Sequence, residues 1–158
     1  IKRLIIFMNP NVDPRGAGWN IIQSQIAIGA GGLFGKGYLM GTQSHYRFLP
    51  QQSTDFIFSI LSEELGFIGC TVVILLFAIF IWRGIVIAMK APDMFGSLLA
   101  IGITTMIGIQ AIINIAVVTN SIPATGMALP FFSYGGTALV ILLASVGVLL
   151  NISRQGNK

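Results

Sequence analysis

The sequence predicts an all-α integral membrane protein of about three transmembrane helices, with a loop segment ahead of them that carries a short amphipathic or re-entrant helix. Three observations lead there. Hydrophobic residues make up 54% of the 158-residue chain and charged residues only 9%, against about 25% charged in an ordinary soluble domain. Residues 94–153 contain no Asp, Glu, Lys, Arg or His, a pattern suited to hydrocarbon. The charge-poor regions divide into three runs, each at or above the roughly 20 apolar residues that cross a bilayer. A net charge of +4 does not indicate a nucleic-acid binder, because such proteins cluster their basic residues among other polar ones. The single Cys70 excludes an internal disulfide, and with one histidine, His45, a histidine-based metal site is not expected. The residues identify no cofactor and leave a divalent cation open.

Taken in order, the chain opens on Ile1 with a short apolar start, Leu4 to Met8, that lacks the length and cleavage site of a signal peptide. It reads as a piece of a longer membrane protein, with Lys2 and Arg3 at the end of a preceding span. Asn9 to Gly18 is dense in turn formers, and each residue before a proline is pushed away from helix, so an extended loop carries Asp13. Trp19 to Ala30 then sets Trp19, Ile22 and Ile26 at helical spacing opposite Asn20, Gln23 and Ser24. Too short to span, it predicts a helix lying at the interface or re-entering. Glycines at 29, 31, 32, 35 and 37 follow as flexible punctuation, and Ser53 or Thr54 is placed to cap the first full span.

The spans are expected at about 56–82, 94–118 and 131–152. Between the first two, residues 83–93 carry Arg83 and Lys90, and the tail carries Arg154 and Lys158, whereas 119–130 is uncharged. The positive-inside rule puts the 83–93 loop and the C-terminus in the cytoplasm and the 119–130 loop outside. Residues 1–55 then lie outside despite Lys2, Arg3, Arg15, Lys36 and Arg47, which the rule allows because long segments translocate largely regardless of charge.

Asp13, between turns and beside the outer membrane face, has two readings: an Asx-turn, or a general base whose pKa partial desolvation has raised. Asp55, Ser59, Ser62 and Glu63 share one side of the first span, with Glu64 beside them. Ionisable groups in a span face protein or a water-filled cavity. This stripe therefore lines a substrate cavity or proton path, or else consists of a capping Asp55 and carboxylates paired with basic groups elsewhere. Gln110 and Asn114, one turn apart, suit amide hydrogen bonds between helices. The run from Asn120 to Thr137, including Ser133 and Tyr134, is broken by prolines and glycines and predicts a cavity wall, since irregular backbone at membrane depth needs protein or water around it. The glycines at 29–37 with Lys36 match no P-loop and favour an interfacial turn over a phosphate cradle.

The ordered set Asn9-Pro10, Asp13-Pro14-x-Gly16-x-Gly18-Trp19, Gln23-Ser24, Gly31-Gly32-Leu33-Phe34-Gly35, Leu49-Pro50, Thr54-Asp55-Phe56-Ile57-Phe58, Glu63-Glu64-Leu65-Gly66 and Pro130-Phe131-Phe132-Ser133-Tyr134-Gly135-Gly136 resembles the SEDS family, whose branches are RodA, FtsW and SpoVE. The resemblance runs over essentially the whole chain. Gly37 to Ser44 with Phe48-Leu49-Pro50 looks more like the RodA branch, which is slightly favoured, while Ile122 to Gly126 with Asn151 to Arg154 is closer to the division and sporulation branches. The resemblance implies a fragment of a ten-span glycosyltransferase of the bacterial cytoplasmic membrane. It would polymerise lipid II into peptidoglycan strands for cell elongation or division, with a class B penicillin-binding protein as partner. Asp13 matches the family's catalytic aspartate. Arg15, Lys36 and Arg47 become candidates to offset the leaving pyrophosphate, and Gln23 and Ser24 to bind substrate. Asp55, Ser59, Glu63, Glu64, Asn114, Ser133 and Tyr134 become candidates to line the cavity. Division members carry a lysine in the loop matching 119–130; this chain has Thr125 near that place, so no role of that lysine carries over. The competing readings are a lipid-precursor flippase or other transporter, and a non-catalytic scaffold for the partner. The fragment alone is expected to be inactive, because its polar stripe would face lipid.

Overall fold

Without water in the hydrocarbon, a spanning backbone must satisfy its own polar groups, which a helix does. The computed structural model describes residues 1–12, 17–35, 37, 57–123, 125–132 and 136–158. Among these, every regular element is helical: α1 Lys2–Met8, a single 3-10 turn Pro10–Val12, α2 Ala17–Gly31, α3 Ile57–Lys90, α4 Met94–Val118 and α5 Gly136–Gly156. Leu61–Lys90 within α3, together with α4 and α5, is long and apolar enough to cross a membrane.

Several boundaries differ from the sequence reading: α2 spans Ala17–Gly31 where Trp19–Ala30 was expected, and a 3-10 turn at Pro10–Val12 lies within the segment expected to be an extended loop. The helix expected to stop at Trp82 continues through Arg83 to Lys90, leaving only Ala91–Asp93 as the connection to α4. Nothing between Arg83 and Lys90 breaks a helix, and Pro92 is the first residue that does. Basic side chains there need no loop, since their long stems carry the charge outward. At the other end, the last helix starts at Gly136 rather than at 131 and runs on to Gly156. Phe131 has φ 69, which an α-helix does not accommodate.

Helices α3 and α4 pack side by side as an antiparallel pair. The buried face of α4 is Gly96, Ala100, Thr104, Ile107, Gly108, Ala111, Asn114, Val117 and Val118, a stripe recurring every three or four residues. It is rich in small side chains, which let helices approach closely in a membrane. A Cβ at Gly84 of α3 would overlap the Thr104 side chain, and one at Gly108 would lie 3.0 Å from Ile81. The main core joins Phe58, Cys70, Val73 and Phe77 of α3, Ile107, Ala111 and Val118 of α4, Leu129, and Leu142 of α5. A second cluster of Ala88, Ala100, Leu149 and Ile152 closes the opposite end, where Gly156 approaches the Lys90 carbonyl. Leu75, Leu76, Leu98, Val140 and Leu143 stay outward, as hydrocarbon-facing residues would.

Candidate functional site

The two glycine motifs of the sequence meet at one place. Helix α3 is broken at Gly66, whose φ of 70 and ψ of −165 are not helical. Such a break orphans the N–H groups that begin the next helical stretch. The segment after α2 supplies their acceptors: Phe67 N–H donates to the Gly32 carbonyl at 2.8 Å and Ile68 N–H to that of Leu33 at 3.2 Å. In return Gly37 N–H donates to the Glu64 carbonyl at 3.0 Å. This contact requires glycine on both sides. A Cβ at Gly31 would overlap the Ser62 carbonyl, one at Gly35 the Glu64 carbonyl, and one at Gly66 the Gly35 amide. The pairing had no local signature: the glycines at 29–37 read as an interfacial turn and Glu63–Gly66 as part of the first span.

Helix α2 turns two polar side chains into the protein. Gln23 and Ser24 are buried along with Ile21 and Ala27, while Trp19 and Ile26 are exposed. Gln23 and Ser24 thus turn into the protein together with Ile21 and Ala27, while Gln25 on the other side is exposed. The Ser24 hydroxyl lies 3.0 Å from the Ile21 carbonyl and 3.3 Å from that of Val118, tying α2 to the end of α4.

Ser59, Ser62 and Glu63 of the first-span stripe are all buried, Ser59 and Glu63 completely, and Glu64 is half-buried. Gly31 sits directly on the Ser62–Glu63 backbone, so this part of the stripe lies beneath the end of α2. Glu63 and Ser59 are each engaged by a neighbouring group, as buried polar side chains require.

The irregular segment after α4 folds back along it. The Asn114 side chain donates to the Met127 carbonyl at 2.7 Å and that of Gln110 to the Ala128 carbonyl at 3.1 Å. These two amides therefore join the helix to the returning loop. The loop reaches Phe77 and Phe80 of α3, with Phe132 at 6.4 Å and Phe131 at 6.3 Å between ring centroids. From Val118 to Gln110 this descent is about 12 Å along the helix axis, and it leaves Leu129 and Pro130 fully buried. Ser121 N–H donates to the Ala116 carbonyl at 2.8 Å and starts the reversal.

Of the residues singled out by sequence, Gln23, Ser24, Ser59, Glu63, Glu64 and Asn114 are thus placed around the α2–α3–α4 contact. Asp13, Arg15, Lys36, Arg47, Asp55, Ser133 and Tyr134 lie outside the described residues. In sequence, Asp13 joins the Pro10–Val12 turn to α2.

This helical arrangement has close counterparts. A family model described as "cell cycle protein", covering FtsW, RodA and SpoVE, matches residues 1–158. Stage V sporulation protein E of Bacillus subtilis is 57% identical over 98% of this chain and 42% of its own length. Peptidoglycan glycosyltransferase RodA of Treponema pallidum is 51% identical over 98% of this chain and 36% of its own. A solved structure described as the structural coordination of polymerization and crosslinking by a peptidoglycan synthase complex superposes with a TM-score of 0.78. It is 30% identical over 98% of this chain and 41% of that one. The chain is therefore a multi-pass membrane member of the FtsW/RodA/SpoVE (SEDS) family of cell cycle proteins, and it spans about two fifths of the length of the relatives it matches.

Proposed function

We propose that this chain forms part of a peptidoglycan glycosyltransferase of the bacterial cytoplasmic membrane, which polymerises lipid II into glycan strands beside a class B penicillin-binding protein. The observation that carries the proposal is the family match over residues 1–158, together with a relative named as a peptidoglycan glycosyltransferase at 51% identity. The structural neighbour, described as a synthase complex joining polymerization to crosslinking, supports a cross-linking partner.

In this reading the basic end of the bundle is cytoplasmic. Arg83, Lys90, Arg154 and Lys158 belong to that end, where Gly156 meets Lys90, and the positive-inside rule favours that orientation. The opposite end, with α2 and the Asp13 segment, then faces outward, where lipid II carries its sugars after translocation. Asp13 accepts the proton of the acceptor's GlcNAc 4-hydroxyl as that oxygen attacks the anomeric carbon of the donor MurNAc. The bond to undecaprenyl pyrophosphate breaks, and Arg15, Lys36 or Arg47 offsets the charge left on the pyrophosphate. Gln23 and Ser24 belong to the substrate-binding motif. Asp55, Ser59, Glu63, Glu64, Asn114, Ser133 and Tyr134 form the wall against which the lipid-linked sugar is held. The interlock at Gly66 supports this role, because a site is held to catalytic geometry only if its surroundings are rigid.

The test is Asp13→Asn in the full-length protein with its partner, supplied with purified lipid II. Loss of polymer with retained folding is expected. Normal polymer yield would overturn the assignment of Asp13, and lipid scrambling in vesicles without any polymer from the unmodified protein would favour a transporter.

A further inference from the structure

We propose that the basic end of the bundle holds the phosphate headgroup of an anionic phospholipid in a pocket between α3 and α5. The pocket is lined by Arg83, Ile87 and Lys90 of α3 and by Ser153, Gly156 and Asn157 at the end of α5. Arg83, Lys90 and Asn157 are exposed, and Ser153 and Gly156 half-buried, so the polar groups converge on a recess open to the outside.

Arg83 and Lys90 lie in about the last two turns of α3, whose Leu61–Lys90 stretch is long and apolar enough to cross a membrane, so the recess sits at one end of that span. A guanidinium there either snorkels to water or takes an anion. Among the described residues no carboxylate lines the pocket. The nearest acid in sequence, Asp93, sits at the start of α4 with its carboxylate turned to Gly96, where a Cβ would lie 2.7 Å from Oδ1.

The charge balance points the same way. The C-termini of α3 and α5 each present about half a negative charge and Asp93 one more, against the four positive charges of Arg83, Lys90, Arg154 and Lys158. A surplus of positive charge remains next to hydrocarbon, beside Trp82, which is 63% exposed as interfacial anchors are. Basic recesses between transmembrane helices at the cytoplasmic face suit anionic lipid headgroups. A lipid phosphate satisfies Arg83 and Lys90 with its charge, accepts from Ser153 and Asn157, and lays its acyl chains along the exposed apolar face of α3. Only the assignment to the inner leaflet rests on the orientation proposed above.

The test uses the full-length protein in phosphatidylcholine nanodiscs containing a minority of phosphatidylglycerol, with bound lipid counted by native mass spectrometry. Polymerisation is not read, so the outcome is independent of the glycosyltransferase proposal. Enrichment of phosphatidylglycerol is expected with the unmodified protein. In Arg83→Gln/Lys90→Gln it should fall about 25-fold, from about fivefold for each basic side chain near the surface. The charge-conserving Arg83→Lys/Lys90→Arg should keep it, which separates loss of the site from loss of folding. Unchanged enrichment in the double glutamine variant would overturn the proposal. So would inorganic phosphate displacing the lipid at millimolar concentration, which would mark the recess as a site for free phosphate.

Discussion

Replacing Gly66 with alanine tests the interlock most directly. At φ 70 and ψ −165 Gly66 occupies a region that is essentially glycine-only, costing roughly 1–3 kcal/mol for any other residue. The added Cβ also overlaps the Gly35 amide and lies 2.7 Å from the Phe34 carbonyl carbon and 2.8 Å from that of Leu33. These are backbone atoms, so the loop itself must move. Its movement loosens the bonds Phe67 N–H to Gly32, Ile68 N–H to Leu33 and Gly37 N–H to Glu64, each worth roughly 0.5–1.5 kcal/mol. Alanine restricts the unfolded chain and returns about 0.4–1 kcal/mol. The net expectation is a loss of about 2–7 kcal/mol. It is measured on the full-length protein by unfolding in mixed detergent, together with amide exchange at Phe67 and Ile68, which should quicken. Gly102→Ala is the control, because a Cβ there meets nothing within 4 Å and the helix gains about 1 kcal/mol in propensity. If Gly66→Ala costs no more than about 1 kcal/mol and leaves exchange unchanged, the interlock does not hold the break, and the reasoning from backbone overlap fails.

Three further substitutions probe the α4 face. Asn114→Ala removes the donor to the Met127 carbonyl at 2.7 Å and should cost about 1–3 kcal/mol by leaving that acceptor unpaired. Gln110→Ala, with a 3.1 Å bond and more exposure, should cost about 0.5–1.5 kcal/mol; exchange across 127–132 should rise more in the first variant, and a reversed order would refute the ranking. The Thr104 hydroxyl is buried with no hydrogen-bond partner among the described residues. Thr104→Val keeps the shape and removes the orphan, so it should raise stability by about 1 kcal/mol in the same unfolding assay; a clear loss would mean that the hydroxyl does have a partner in the full-length protein.

The all-helical class was legible because a lipid-facing chain cannot hide its composition: an uncharged run such as 94–153 leaves few alternatives to helices. The end of α3 was not, since Arg83 and Lys90 resemble loop residues until one considers that their stems reach the interface from a continuing helix. On α2, Trp19 and Ile26 were legible as sharing a face, but the burial of Gln23 and Ser24, and the approach of Ser24 to the Val118 carbonyl, were not, because that contact joins segments far apart in the chain. Gln110 and Asn114 were recognisable as hydrogen-bonding residues in a span, yet their acceptors, the Met127 and Ala128 carbonyls, lie on a loop whose descent no local pattern encodes.

What the sequence determined by itself was chemical: which segments tolerate hydrocarbon, which end of the bundle is basic, and which ordered motifs mark the family. Those properties depend on composition and order along the chain. Only the tertiary structure decided that Gly31–Gly37 and Glu63–Gly66 form one joint, that Gln23 and Ser24 of α2 face the protein, and that the loop before α5 returns to Phe77 and Phe80. Each of these is a contact between segments distant in the chain. Such contacts are set by where unpaired backbone groups and polar side chains can find partners once water is gone.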